Sequence, residues 1–407
     1  MPPLNKRQQF LMWIVAAVFA TAGLVAVLSA ELHRSTPRHA LYVTGDAEQG
    51  AVLFFGRKHC SICHSVNGEG GRLAPDLGKI RPAAPAMGWL AMALWNHAPG
   101  MARQMRGTKS PQLNQQEMAH ILAYLYQASS VDRPGDAAAG KAVFQAKGCV
   151  QCHAVGSNGH GAGHDLSAVT DSGNGSSWQL AMWNHAQSMI GPITARLGQW
   201  PQFRGEEMSD LIAYVSAGTK ASPGKLSPRG HAENGWAVFQ ARCIGCHSVR
   251  GHGSQIGPEL GPDHELPQSP AQFATILWNH APSMLARVKD AGVENPTLQG
   301  EEMADVLQFL SSLRYVEPTG SALLGEHIFA ERGCALCHGA AAQGSPEGPK
   351  LRTEGDAFTT VSLATAFWSH GGAMQSRAER MGITWPTLKA TDIGDLISFL
   401  NAPGPGK

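Results

Sequence analysis

The chain has 407 residues, which exceeds one ordinary domain and predicts two to four. Its 32 lysine and arginine residues are balanced by 31 aspartate and glutamate residues, and this formal net charge of +1 excludes the strongly basic composition typical of nucleic-acid-binding proteins. All 8 cysteines fall within four copies of one short motif, so the chain is built from repeats.

The N-terminal segment predicts a membrane anchor. Residues 10–30 carry no charged side chain and are numerous enough to cross a bilayer as one helix. Lys6 and Arg7 precede this run, which places residues 1–9 in the cytoplasm and the rest outside. A cleaved signal peptide is the alternative, because Ala20-Thr21-Ala22 resembles a cleavage site. We expect a single-pass protein of the inner (plasma) membrane, with a linker at residues 31–44 and its domains on the periplasmic or outer face.

Four domains are predicted after the anchor. The first cysteines of the motif stand at positions 60, 149, 243 and 334, so each repeat has the size of a small domain and not of a solenoid turn. Segments rich in proline and glycine separate the copies. These borders predict domains at residues 45–133, 134–222, 223–317 and 318–402, followed by a disordered tail at residues 403–407.

Each domain is predicted to be all-α, with about three main helices. The first helix places a glycine four residues before an aromatic ring, so that both share one face. The glycine would let the last helix cross closely, and the ring would fill the seam. The last helix follows a proline and combines an early acidic residue with apolar residues at helical spacing, at residues 117–125, 206–215, 301–310 and 392–400. The glycine and aromatic pairs are Gly50/Phe54, Gly140/Phe144, Gly235/Phe239 and Gly325/Phe329.

The repeated motif is Cys-x-x-Cys-His, a pattern typical of covalent haem attachment. Two thiols bond the porphyrin vinyl carbons, and the histidine beside the second thiol lies under the ring as an iron ligand. A thioredoxin-like redox pair and half of a zinc site are the alternatives. A histidine follows every second cysteine, however, and no cysteine remains to complete a zinc cluster, so we predict four haem c groups. The predicted thiols are Cys60, Cys63, Cys149, Cys152, Cys243, Cys246, Cys334 and Cys337, and the predicted iron ligands are His64, His153, His247 and His338.

A glycine-rich loop follows each proximal histidine. Three copies have proline at one position, Pro75, Pro258 and Pro349, where the second copy has His164. A proline there suits a backbone carbonyl held toward the proximal imidazole, and an ordinary tight turn is the alternative.

A tryptophan, a histidine and a methionine recur before the last helix of every copy. The methionine stands 36 or 37 residues after the proximal histidine, a constancy which suggests that both residues contact one rigid object, the iron. The histidine is a second candidate for the sixth ligand, and bis-histidine ligation would lower the potential that methionine raises. If methionine binds iron, the tryptophan and histidine are expected at the haem edge. The candidates are Met101, Met189, Met284 and Met374, with His97, His185, His280 and His370 one helical turn earlier.

From about residue 45 to 402 the chain resembles four tandem class I cytochrome c domains. That family has the order C-x-x-C-H, a Gly-Pro-x-Leu loop, a helix, Asn-Gly-x-x-x-Met-Pro and a final amphipathic helix. Asn96 to Met101 reproduces the asparagine-to-methionine interval, as do the second and third copies, whereas Ser369 replaces the asparagine in the fourth. Histidine replaces the glycine of the family pattern in every copy, and the proline after the methionine is missing. The resemblance implies that the four methionines are the axial ligands.

These features predict an electron carrier and not an enzyme, because a haem enzyme needs an open distal position and every copy supplies a candidate ligand. We expect a membrane-anchored tetrahaem cytochrome that relays electrons from a membrane-bound donor complex to a periplasmic or external acceptor protein. The alternatives are a haem subunit of a larger respiratory or photosynthetic complex and a multihaem redox enzyme with one open iron. No catalytic residue and no nucleic-acid partner is predicted.

Overall fold

The structure is a computed structural model that describes residues 45–79, 87–105, 111–129, 132, 134–156, 163–167, 177–218, 230–261, 269–313, 320–352 and 357–403. The predicted anchor, the segment before it and the linker after it lie outside these residues, as does the tail beyond residue 403. Within the described part of the chain, no helix is long and apolar enough to cross a membrane.

Four mostly helical repeats, domains 1 to 4 in chain order, each contain a first, a middle and a last helix, which confirms the predicted all-α repeat. The first helices are Ala47–Val52, continued by a π-helical turn at Leu53–Arg57, then Ala137–Ala146, Ala232–Arg242 and Ala322–Glu331. The middle helices are Met87–Gln104, Ser177–Leu197, Pro270–Asp290 and Thr360–Arg380. The last helices are Gln115–Ser129, Glu207–Ala217, Gly300–Leu313 and Ala390–Asn401.

Short elements surround the cysteine motifs. Two antiparallel hairpins, Ser65–Val66 with Glu69–Gly70 and Ser248–Val249 with His252–Gly253, follow the motifs of domains 1 and 3 in the same register. The motifs themselves form one helical turn at Cys60–Ile62, Cys149–Gln151 and Cys334–His338, and a further 3₁₀ turn lies at Leu77–Lys79.

The first and last helices cross at the predicted glycine in every domain. A Cβ atom at Gly140 would lie 1.9 Å from the Asp210 carbonyl oxygen, so only glycine permits this approach. The same contact would be 2.0 Å at Gly50, Gly235 and Gly325. The predicted aromatic side chains pack at the seam, and the ring-centroid distances are 5.7 Å for Phe54 and Tyr124, 5.5 Å for Phe144 and Tyr214, 5.5 Å for Phe239 and Phe309, and 5.2 Å for Phe329 and Phe399.

The start of each first helix is tied to the last helix of the same domain. The backbone N–H of the residue before the helix donates to an aspartate side chain in domains 2 to 4, at 2.7 to 2.8 Å, the acceptors being Asp210, Asp305 and Asp395. In domain 1 the acceptor is Nδ1 of His120, 2.8 Å from the Asp46 nitrogen. This bond requires an unprotonated Nδ1, because a protonated imidazole nitrogen cannot accept.

The tryptophan of each middle helix joins two domains. Its indole N–H donates to the carbonyl of the proline that introduces the last helix of another domain, which pairs domain 1 with domain 4 and domain 2 with domain 3. Each pairing is reciprocal, as in an interface between two-fold related subunits. The nitrogen-to-oxygen distances are 2.7 Å for Trp95 to Pro386, 2.7 Å for Trp368 to Pro111, 2.7 Å for Trp183 to Pro296 and 2.6 Å for Trp278 to Pro201.

The asparagine next to that tryptophan forms a second link, and we call the two together the Trp–Asn clasp. Asn96 Nδ2 donates to the Leu388 carbonyl at 2.9 Å, and the Leu388 N–H donates back to Asn96 Oδ1 at 2.9 Å. Asn184 makes the same two bonds with Leu298, and Asn279 makes them with Phe203, all at 2.9 to 3.1 Å. Domain 4 has Ser369 at this position, which lacks the amide group.

The clasps are embedded in shared apolar cores. Trp385 stacks on Trp95 with 4.2 Å between ring centroids, and Trp200 stacks on Trp278 at 4.3 Å. One buried cluster contains residues of domains 1 and 4, and another contains residues of domains 2 and 3. The ring and the N–H of this tryptophan are thus used between domains, and its place at the haem edge stays a prediction.

A different surface connects domains 1 and 3. Asp46, the N-cap of the first helix of domain 1, lies 2.9 Å from Nδ1 of His231, the N-cap of the first helix of domain 3. The last helices of these two domains are also in contact. Asp132, at the end of domain 1, accepts from the backbone N–H of Ala271 in domain 3 at 3.1 Å.

Candidate functional site

One helical turn brings both thiols and the proximal histidine of each motif to the same side. The backbone N–H of the histidine donates to the carbonyl of the first cysteine at 2.9 to 3.0 Å in domains 1 to 3, and residues three and four apart share a helix face. In domains 1, 2 and 4 the turn is entered through a left-handed residue, Gly148 at φ 78° and Gly333 at φ 79°, while His59 adopts this conformation at φ 56° without being glycine.

The first cysteine of each motif is half-buried. Burial raises the pKa of Cys60, Cys149, Cys243 and Cys334 to about 11, so these thiols are neutral near pH 7 before they react. None of the eight cysteines forms a disulfide. Among the described residues, no group of three or more histidine, cysteine, aspartate or glutamate side chains is arranged to hold a metal ion.

A loop carbonyl orients every proximal histidine, as the loop sequence predicts. Because a carbonyl only accepts, the imidazole must donate from Nδ1, and Nε2 keeps the lone pair that iron requires. In domain 2 the carbonyl belongs to His164 and not to a proline. The position of the carbonyl therefore matters more than the proline ring. The Nδ1-to-oxygen distances are 2.9 Å for His64 and Pro75, 2.9 Å for His153 and His164, 2.8 Å for His247 and Pro258, and 2.9 Å for His338 and Pro349.

The residue before that carbonyl packs against the proximal imidazole. A Cβ atom at Gly257 would lie 2.7 Å from Cε1 of His247, and one at Gly163 would lie 2.8 Å from Cε1 of His153. Domain 1 has Ala74 there, and its N–H lies 3.0 Å from the Cys63 carbonyl, whereas the Gly257 N–H lies 2.7 Å from the Cys246 carbonyl. In domain 1 the methyl group of Ala74 is thus accompanied by a longer hydrogen bond between the loop and the cysteine motif.

An acidic side chain holds the same loop to the turn after the motif. Asp76 accepts from the backbone N–H groups of Asn67, Gly68 and Gly78 at 2.8 to 3.0 Å. Desolvation raises the pKa of Asp76, but these N–H donors outweigh it, and the pKa lies below its ordinary value. Asp165 and Glu259 bind equivalent backbone groups in domains 2 and 3, whereas Lys350 occupies the position in domain 4.

Both candidates for the sixth ligand lie on the middle helix. The methionine follows the histidine by four residues, so both lie on one face of the helix. The four methionines are half-buried, and the four histidines are exposed. In three domains the histidine Nδ1 bonds a carbonyl of its own helix, at 2.8 Å for His97 and Ala93, 3.1 Å for His185 and Ala181, and 3.1 Å for His280 and Ile276. Methionine as sixth ligand stays a prediction.

The middle helix continues beyond the methionine, because the proline of the family pattern is missing there. In domain 2 it reaches the cysteine motif, where Arg196 donates to the Gln151 carbonyl at 2.8 Å and lies 3.8 Å from Cys152 Sγ. In domain 4, Met381 Sδ lies 4.0 Å from Cys337 Sγ. Neither Arg196 nor Met381 was singled out from the sequence, where the absent proline was the available signal.

The arrangement suits a covalently held haem in each domain. Two thiols and an imidazole with a free Nε2 share one side of a turn, and in domains 2 to 4 a loop glycine lies too close to that imidazole and its motif for a side chain to fit. The family model described as Cytochrome c matches residues 47–129, 137–219, 232–314 and 322–402. The chain belongs to the cytochrome c family. Each cytochrome c match begins at a first helix and includes one cysteine motif, so the protein has four covalently bound haem c groups with iron. No curated protein matches the chain with significant similarity.

Proposed function

We propose that this cytochrome is a membrane-anchored electron relay with its four haem domains on the periplasmic or outer face. Its donor would be a membrane-bound complex, and its acceptor would be a protein outside the membrane. The observation that carries the proposal is the fourfold repetition of one complete site, each with a proximal histidine held by a loop carbonyl and a methionine on the middle helix.

Haem c would supply an iron that gains or loses one electron. The loop carbonyl accepts a hydrogen bond from the Nδ1–H, which increases the basicity of Nε2 and would favour the ferric state of the iron it holds. A methionine thioether as sixth ligand would favour the ferrous state and raise the potential. These groups bind and tune the haem, and none is placed to transform a substrate.

The experiment that tests the proposal compares the visible spectrum of the reduced holoprotein with and without carbon monoxide. The unmodified protein is expected to show no change and to exchange four electrons per chain reversibly with small one-electron mediators. The Met101→Ala variant is the positive control, in which one haem of four should bind carbon monoxide. The His97→Ala variant should behave like the unmodified protein.

Two outcomes would contradict these assignments. Carbon monoxide binding by the unmodified protein would indicate an open iron and favour the enzyme alternative. Loss of the low-spin spectrum in the His97 variant, with its retention in the Met101 variant, would show that the histidine is the sixth ligand.

A further inference from the structure

The domains are neighbours in an order that differs from the chain order. Hydrogen bonds between described residues join domain 2 to domain 3, domain 3 to domain 1, and domain 1 to domain 4. Two of these junctions use the Trp–Asn clasp, and the third uses the N-caps Asp46 and His231.

The clasp surface can serve one neighbour at a time. In domain 1 both halves of it, the middle-helix tryptophan and the proline before the last helix, are occupied by domain 4. In domain 2 both halves are occupied by domain 3. Domains 1 and 2, although consecutive in the chain, therefore cannot pair with each other through this surface.

The last helix of domain 3 is buried over much of its surface, including polar residues. Polar residues three and seven positions apart on this helix, Asp305, Gln308 and Ser312, are only 9%, 8% and 3% exposed. In domain 2 the corresponding helix buries only Met208, Leu211 and Val215. The additional cover on domain 3 fits the contact between its last helix and that of domain 1.

We propose that electrons are exchanged between the domains in the order 2–3–1–4, so that domains 2 and 4 are the two ends of the relay. The inference rests on the proposed function. In each step one electron leaves a ferrous site and reduces the ferric site of the neighbouring domain, and no bond forms or breaks. Because electron transfer slows steeply with distance, contact between domains decides the route. Domain 1, which follows the predicted anchor and its linker in sequence, lies inside this order and not at an end of it.

The test is an NMR redox titration of the full-length holoprotein, which follows the haem methyl signals through all oxidation stages. Reducing one site adds a negative charge that lowers the potential of its neighbours, and this effect weakens with distance. The titration yields the interaction for each pair of sites. One methionine variant per domain, such as Met101→His or Met189→His, assigns the signals to that domain.

The three largest interactions are expected for the pairs 2–3, 3–1 and 1–4. A result in which the pair 1–2 or the pair 3–4 is among the three largest would overturn the proposal, and so would six equal interactions. A Trp95→Phe, Asn96→Ala double variant should weaken the interaction between domains 1 and 4 and leave that between domains 2 and 3 unchanged. If this variant does not fold, the titration of the unmodified protein still tests the proposed order. The titration needs no partner protein, so its result is independent of whether the carbon monoxide experiment supports the relay.

Discussion

Asn96 binds the backbone of another domain through both the donor and the acceptor of its amide. An asparagine at this position distinguishes three of the clasps from the fourth, which has Ser369. An amide presents a donor and an acceptor at a fixed separation, which matches the N–H and C=O of a single residue such as Leu388. Its interval to the methionine matches the cytochrome c pattern, yet the structure shows a role in joining domains. A motif position can thus keep its spacing and gain a second partner.

A Ser369→Asn substitution is expected to complete the clasp between domains 4 and 1. Trp368 already donates to the Pro111 carbonyl at 2.7 Å, so an asparagine at residue 369 would face Leu113 as Asn96 faces Leu388. Two added hydrogen bonds should stabilise this pair by about 1 to 2 kcal/mol. The measurement is the denaturant midpoint of the holoprotein for the transition of domains 1 and 4. Asn96→Ser is the matched control and should destabilise the same transition; if both variants unfold like the parent, the clasp contributes nothing.

At the scale of elements, the crossing of first and last helices is the feature most completely predicted by sequence. Glycine and an aromatic ring one helical turn apart predict close approach and a filled seam, and all four crossings have both. The middle helix was less predictable. One face of this helix carries the candidate iron ligands, and another face carries the clasp. The sequence of the helix does not show which face contacts the haem and which contacts another domain.

A Gly140→Ala substitution should destabilise domain 2 by roughly 3 kcal/mol or more, because the added methyl group would overlap the Asp210 carbonyl and force the helices apart. Gly191→Ala is the matched control, since Gly191 lies in the middle helix of the same domain with no atom within 4 Å of the added Cβ. That change should be neutral or stabilise by about 0.5 to 1 kcal/mol through helix propensity. Denaturant unfolding followed by haem absorbance measures both. Equal midpoints for the two variants would show that the crossing tolerates a side chain.

For the whole molecule, the N-terminal run of residues 10–30 predicts that the haem protein stays with membranes through a high-salt wash and is released by detergent. Exchange of residues 1–30 for a cleavable export signal is the control and should yield a soluble protein with all four haems. Mass spectrometry of the unmodified protein gives its first residue. A mature chain that begins near residue 23 and leaves the membrane in salt would mean that the segment is a cleaved signal.

The four repeats, their helices, the haem-attaching cysteines and the proximal histidines could be predicted from the sequence, because each depends on local spacing along the chain. The loop carbonyl was also within reach, since a proline at a fixed distance restricts where one carbonyl can point. Which domains are neighbours could not be predicted in this way and is seen in the folded molecule. Trp95 and Pro386 are 291 residues apart, and a tryptophan that pairs domains has the same local sequence context as one that lines a haem. Four similar repeats offer several compatible pairings. The Trp–Asn clasps and the shared buried clusters pair domain 1 with domain 4 and domain 2 with domain 3, and the Asp46–His231 contact joins domain 1 to domain 3.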